Sequence, residues 1–270
     1  MASNVSKAIG FYDWNPTSAV GLIAHFRPEE LPASGGVATW TANVGTNATQ
    51  GTGASQPVIS GNLLNSYRGA YFDGTDDWLT TGIQNTALYS TSSLISVLRT
   101  PTTHTGNNGR LFCVASGAGM SFAFNGPAAD GKMRGLNANV AWMNPANTAL
   151  AVDSNVMVEY AWNDASNTIN YHRDGNADGS VTYTTAPTST NTALMQIGKE
   201  SAVTYYGNLT VYEMMVFNTT ITTTDREKVE GHLANKFARQ SALPAVHWYK
   251  AHKPLTKMLF WDSEIYSSAS

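Results

Sequence analysis

Gly69-Ala70-Tyr71-Phe72-Asp73-Gly74-Thr75-Asp76-Asp77-Trp78-Leu79 is the stretch from which the rest of the chain can be read. Ala70 and Phe72 alternate as an apolar run, the run stops at Asp73-Gly74, and the apolar signal resumes at Trp78-Leu79. Asp-Gly between alternating hydrophobics signals a hairpin or tight turn. Glycine takes positive φ without steric cost, and aspartate bonds to its own local backbone. Three carboxylates at Asp73, Asp76 and Asp77 do not belong in a core, so the turn is expected at a sheet rim.

Working outward, strand signals recur along most of the chain. Val20–Phe26, Leu94–Leu98, Arg110–Ala115, Met120–Phe124, Lys132–Leu136 and Val140–Met143 are short runs separated by Gly, Asn and Pro. Val156–Trp162 and Thr168–Arg173 alternate best and flank the polar loop Asn163–Asn167, a hairpin pattern. Asp174-Gly175 and Asp178-Gly179 turn the chain again, and Leu194–Gly198 and Leu209–Phe217 follow. The last is apolar on both faces, with Val211, Met215 and Phe217 on one and Tyr212, Met214 and Val216 on the other, as in a strand covered on both sides. Strands at this spacing imply a sandwich rather than alternating strands and helices. Thr222–Arg239 is the one helix: Thr224–Glu227 reads as a capping box, and Val229, Leu233 and Phe237 make one apolar stripe.

Two separated segments resemble a known family. Phe72-Asp73-Gly74-Thr75-Asp76-Asp77-Trp78-Leu79 resembles the F-D-G-x-D-D-Y-L signature of the concanavalin A-like lectin/glucanase (laminin-G-like) domains, and Val37–Gln50 is similar to the segment that precedes it there. Asn43 stands where that family has an acid. Val211–Asn218, followed by the helix to Phe237, resembles the closing segment of the same family. The resemblance spans most of residues 20–239 and implies an all-β, concanavalin A-like jelly-roll sandwich of two antiparallel sheets with one C-terminal helix. Residues 1–19 then form an N-terminal arm and 240–270 an aromatic-rich tail.

Composition narrows the function. Of 270 residues, 13 % are charged, below the roughly 25 % of ordinary soluble domains, and Gly, Ser, Thr and Asn cover the surface instead. The net charge of −3 comes with no basic cluster, which argues against nucleic acid. Ala8–Tyr12 is too short for a signal-peptide core, and no stretch approaches the 18 or so apolar residues of a membrane helix, so a soluble chain without membrane insertion is expected. Cys113, the only cysteine, sits in an apolar run and reads as a buried small hydrophobe.

The related glucanases carry an E-x-D-x-x-E strand, and nothing here matches it; Glu159 is followed by Tyr160-Ala161-Trp162. The six histidines show no metal-ligand spacing, and a protein without catalytic activity is the expectation. Sugar binding in such sandwiches uses exposed aromatics beside amides and carboxylates. Trp142, Tyr205, Tyr206, Asn144 and Asn208 are the candidates, with Trp78, Asn139 and Trp162 also considered, the last favoured as a core residue. Asp174, Asn176 and Asp178 resemble the start of a calcium loop, although the D-G hairpin turn alone accounts for them and is the favoured reading, and no other cofactor is implied. Trp248, Tyr249, Phe260 and Trp261 in the tail are candidate assembly anchors. Together these features suggest a lectin-like binding or adhesion module. By analogy it would be a structural accessory of a larger particle such as a phage virion, exposed on the virion surface, partnered by other structural subunits in an oligomer and by cell-surface glycans. A purely architectural subunit and a divergent glycoside hydrolase are the alternatives.

Overall fold

The computed structural model describes residues 16–88, 91–105, 109–114, 121–124, 129–136, 146–163, 165–183, 192–200 and 205–251. Among these, two large antiparallel sheets share one core, and a single long helix lies near the C-terminus. The main path of the nine-stranded sheet runs Asn176–Thr182, Thr168–Arg173, Asn155–Asn163, Thr91–Arg99, Asn208–Phe217, Leu22–Phe26 and Ala42–Val44. The long strand Asn208–Phe217 takes two partners on its far edge, Ala70–Asp73 beside its first half and Leu22–Phe26 beside its second. The seven-stranded sheet runs Met133–Leu136, Ser121–Phe124, Arg110–Val114, Leu194–Ile197, Leu79–Gln84, Ala48–Thr49 and Thr39–Trp40. Phe72, Leu94, Phe112, Phe122, Tyr160 and Trp162 fill the space between the layers. The result is the jelly-roll sandwich expected; of the expected strands, Val140–Met143 lies outside the described residues.

Asp73-Gly74 turns the chain at a rim but makes no hairpin. Ala70–Asp73 belongs to the nine-stranded sheet and Leu79–Gln84 to the seven-stranded one, so the turn carries the chain from one layer to the other. Each strand keeps its own alternation, with Ala70 and Phe72, then Leu79 and Ile83, facing the shared core. Local sequence is the same for either pairing; what differs is the partner, Asn208–Phe217 for the first strand and Leu194–Ile197 for the second. Gly74 has φ +81°, and a Cβ there would lie 2.9 Å from Asn208 Cβ, so both backbone and space demand glycine.

The strand Asn208–Phe217 is covered on both faces, yet its faces are not those of simple alternation. Register against Thr91–Arg99 shifts between Val211 and Glu213, a bulge. Leu209 and Val211 point into the sandwich, as do Met214 and Val216 beyond the bulge, whereas Tyr212, Met215 and Phe217 point to the outer face. One extra residue reverses the phase, because the side-chain period of a strand is two.

The helix Thr223–Lys236 covers that outer face. Val229, Leu233 and Phe237 pack there with Ile95, Tyr212, Met215 and Phe217 as a second core. Its cap lies two residues earlier than the expected box. Thr222 is extended (φ −66°, ψ 154°), and its Oγ1 accepts from the Asp225 amide at 3.1 Å, while Thr224 already lies inside the helix.

The packed unit also continues past the boundary expected at residue 239. Leu243 and Tyr249 join the second core, and Tyr249 lies against Gly231, where a Cβ would stand 2.2 Å from the ring. His247 Nε2 meets Glu230 Oε2 at 3.0 Å, tying the segment to the helix. No helix among the described residues is long and apolar enough to cross a membrane.

Candidate functional site

The rim that begins with Asp73 gathers several of the expected binding residues. Asp73 Oδ1 accepts from the Thr75 amide at 2.7 Å, and Asp77 Oδ2 accepts from the Asp73 amide at 3.1 Å, so the carboxylates first serve to fold the turn. Burial pushes the Asp77 carboxyl up to about 6; the bond from the Asp73 amide opposes this, and the charges of Asp73 and Asp76 add to it. Asp73, Asp76 and Asp77 each offer an oxygen within 4.8 Å of the others, a spacing compatible with a cation. Asn208 pairs with Asp73 across the strands, which places the acidic turn beside the segment that leads into the long strand.

That segment carries the aromatics. Tyr205 and Tyr206 form a two-residue strand against Lys199 and Glu200. Lys199 Nζ lies 4.8 Å from the centre of the Trp78 ring and 5.2 Å from that of Tyr206, so one ammonium holds two rings near each other. Tyr205 is 36 % exposed, with the Arg110 guanidinium 5.1 Å from its ring centre. Arg110 is buried and paired to Glu200 at 2.6 Å, which fixes the platform under Tyr205. Sequence reasoning named Tyr205, Tyr206, Asn208 and Trp78 one by one; the fold brings them to one end of the sandwich. Arg110 and Lys199 were missed because Tyr205 and Trp78, the rings they meet, lie far from them in the sequence. Asn139, Trp142 and Asn144 lie outside the described residues.

The residues of the suggested calcium loop, Asp174, Asn176 and Asp178, lie on and beside a hairpin turn that the chain's own groups hold. Asp174 (φ 48°) and Gly175 (φ 75°) are the two central residues of a tight hairpin, with Arg173 paired to Asn176. Asp174 Oδ1 accepts from Arg239 at 2.7 Å and from the Met157 amide at 3.0 Å, and Asn176 Nδ2 donates to three backbone carbonyls. An arginine thus neutralises the Asp174 carboxylate. Asp178-Gly179 makes no turn; it lies within the strand Asn176–Thr182, beside a register shift against Thr168–Arg173.

Of the assembly candidates, Tyr249 is only 5 % exposed and is consumed by the chain's own second core, whereas Trp248 is 37 % exposed. Phe260 and Trp261 lie outside the described residues. Two other carboxylates, Glu159 on the sheet and Glu230 on the helix, are buried with Arg226 between them, Nε 4.0 Å from the first and 3.7 Å from the second. Burial, and then the neighbouring Glu230 charge, hold the Glu159 carboxyl well above its ordinary value. Cys113 is fully buried, its thiol pushed up to about 12 chiefly by that burial, so it is a packing residue.

No family model and no curated protein matches the sequence. Solved structures do match the fold. Trypanosoma rangeli sialidase aligns over 83 % of this chain and 33 % of its own, with a TM-score of 0.54 and 12 % identity. Its complex with sialic acid gives a TM-score of 0.55 at 11 % identity, over 83 % of this chain and 34 % of that one. Domain 4 of AbnA, a GH43 extracellular arabinanase from Geobacillus stearothermophilus solved with arabinotriose, aligns over 77 % of this chain and 97 % of its own, with a TM-score of 0.51 and 11 % identity. The chain spans about a third of the sialidase's length. Identity this low speaks for the fold alone: the chain has a β-sandwich fold like that of the aligned parts of these neighbours. The expectation of a protein without catalytic activity is corrected, because these neighbours are chains or domains of sialidases and an arabinanase, and the lack of one glucanase motif therefore excludes nothing.

Proposed function

We propose that the chain is a carbohydrate-binding β-sandwich whose binding surface is the rim formed by Trp78, Tyr205 and Tyr206 with Asp73, Asp76 and Asn208. The observation that carries this reading is the convergence of three aromatic rings, an amide, the exposed carboxylate of Asp73 and the half-buried one of Asp76 on one sandwich end. Ring faces suit the apolar face of a sugar, and the amide and carboxylates suit its hydroxyls. Lys199 would give up its contact with one ring, a loss of about 0.5–1 kcal/mol at an exposed site. The sugar-bound neighbours sialidase and arabinanase domain 4 support the reading at the level of fold.

A glycan array followed by titration of its best oligosaccharide tests it. Tyr205→Ala with Tyr206→Ala should weaken binding about tenfold or more while leaving the thermal midpoint nearly unchanged, as expected of aromatic anchors on a rigid support. An unaltered affinity would remove the rim from consideration. Release of new reducing ends from the bound oligosaccharide, lost in Asp77→Asn, would make the same rim hydrolytic.

A second reading, assembly with other subunits, is favoured by Val246 and Trp248, which stand 95 % and 37 % exposed on either side of His247. Placement in a virion rests on analogy alone. If the protein self-associates, Val246→Ser with Trp248→Ala should shift it to monomer in light scattering. An oligomer that survives the double change would put the contact elsewhere.

A further inference from the structure

A pocket of about 280 Å³ opens at the same end of the nine-stranded sheet as the rim, but four strands away from Ala70–Asp73, at the turn Arg173–Asn176. At inter-strand spacings of about 4.8 Å this is roughly 19 Å from the acidic turn, so the two places are separate. The wall includes Ser154, Asn155, Arg173, Asp174 and Asn176, closed on one side by Ala242 from the segment that follows the helix.

Its charges are unequal. Asp174 is neutralised by Arg239 through Nε at 3.1 Å and a terminal nitrogen at 2.7 Å. Arg173 has no such counter-ion among the described residues. One terminal nitrogen reaches the Ala149 carbonyl at 3.4 Å, a long contact for a guanidinium that has five donors. Among the described arginines only Arg68 and Arg173 lack a carboxylate partner. Among the described residues the pocket therefore carries one positive charge without a carboxylate partner.

Its amides want donors. Asn155 Oδ1 is buried with no hydrogen-bond partner among the described residues. Asn176 spends its Nδ2 on backbone carbonyls, which leaves its Oδ1 as an acceptor. A cation that binds carboxylate, beside two amide oxygens that bind hydroxyls, matches a small hydroxylated acid. The volume, just below the ~300 Å³ at which ligand pockets begin, suits a single ring better than an oligomer.

We propose that this pocket is a binding site for a hydroxylated carboxylate the size of one sugar ring, such as a uronate residue, with Arg173 gripping the carboxylate. The proposal stands apart from the rim, and its test reads different residues. Amide chemical shifts of the full chain would be followed during titration with D-glucuronate, with D-glucose and acetate as controls. Glucuronate should move the resonances of residues 150–156 and 173–176 saturably, at least tenfold more tightly than either control, and Arg173→Gln should weaken it about tenfold or more, the effect of losing a charge-assisted bond. Arg173→Lys, which keeps the charge without the fork, should retain part of the affinity and reports on whether loss in Arg173→Gln is specific. Equal binding of glucose would overturn the role of the charge, and equal binding of acetate would overturn the ring. No saturable shift with glucuronate, or shifts untouched by Arg173→Gln, would overturn the site.

Discussion

Phe237→Ala is expected to lower the unfolding free energy by about 3–5 kcal/mol, the range for removing a large aromatic from a close-packed core. Phe237 ends the helix, is 1 % exposed, and meets Tyr67 edge-on at 5.4 Å and Tyr212 at 6.1 Å between ring centres. Tyr67 comes from the loop before the acidic turn and Tyr212 from the central strand, so one side chain joins helix, loop and sheet. No small shift of the backbone can refill the space left by the ring, because the surrounding groups are anchored in three different elements. A urea titration checks it: the midpoint should fall, with the slope unchanged if only the native state is affected. A midpoint within error of the parent would mean that the helix contributes little to holding the sandwich together.

Glu213→Ala is expected to cost a similar amount, about 3–5 kcal/mol, for a different reason. Glu213 is fully buried on the central strand, with His25 Nε2 at 2.7 Å and Lys236 Nζ at 2.6 Å. Lys236 also reaches Glu29 at 2.8 Å, so the carboxylate links the first strand, the last strand, the helix and an N-terminal loop. Removing it leaves His25 without its carboxylate partner and Lys236 with only Glu29, beside a buried hole. Burial alone would raise this carboxyl, but the His25 hydrogen bond and the Lys236 charge prevail and hold it below its ordinary value of 4.5. A depressed carboxyl stabilises the fold above the unfolded value and loses that contribution as pH falls through the folded one. The parent should therefore lose stability below about pH 4.5 more steeply than Glu213→Ala, and the difference between the two unfolding free energies should narrow toward acid. Parallel pH profiles would show that Glu213 is not the group being titrated.

Much of this fold was legible because it rests on short-range physics. The alternation of Thr168–Arg173, the turns at Asp73-Gly74 and Asp174-Gly175, and the helix stripe Val229, Leu233 and Phe237 each follow from a period or a turn geometry contained within a few residues. The aromatic rim was legible only as separate residues. Nothing local joins Trp78 to Tyr206; Lys199, set between their rings by a two-residue strand, does so. Arg173 looked like the end of a strand, and only the docking of Arg239 onto Asp174 leaves it, among the described residues, as the charge of a pocket without a carboxylate partner.

By itself, then, the sequence determined that this is a β-sandwich closed by one helix, since hydrophobic periodicity and turn chemistry are properties of neighbouring residues. The tertiary structure alone decided which strands pair and which face each side chain takes. Asp73-Gly74 has the local chemistry of a hairpin, yet it bridges two sheets because the long strand Asn208–Phe217 and the strand Leu194–Ile197 compete for its two arms. Val211 shares a face with Met214 and not with Met215 because a bulge, stabilised only by the partner strand, inserts one residue and reverses the phase of everything beyond it.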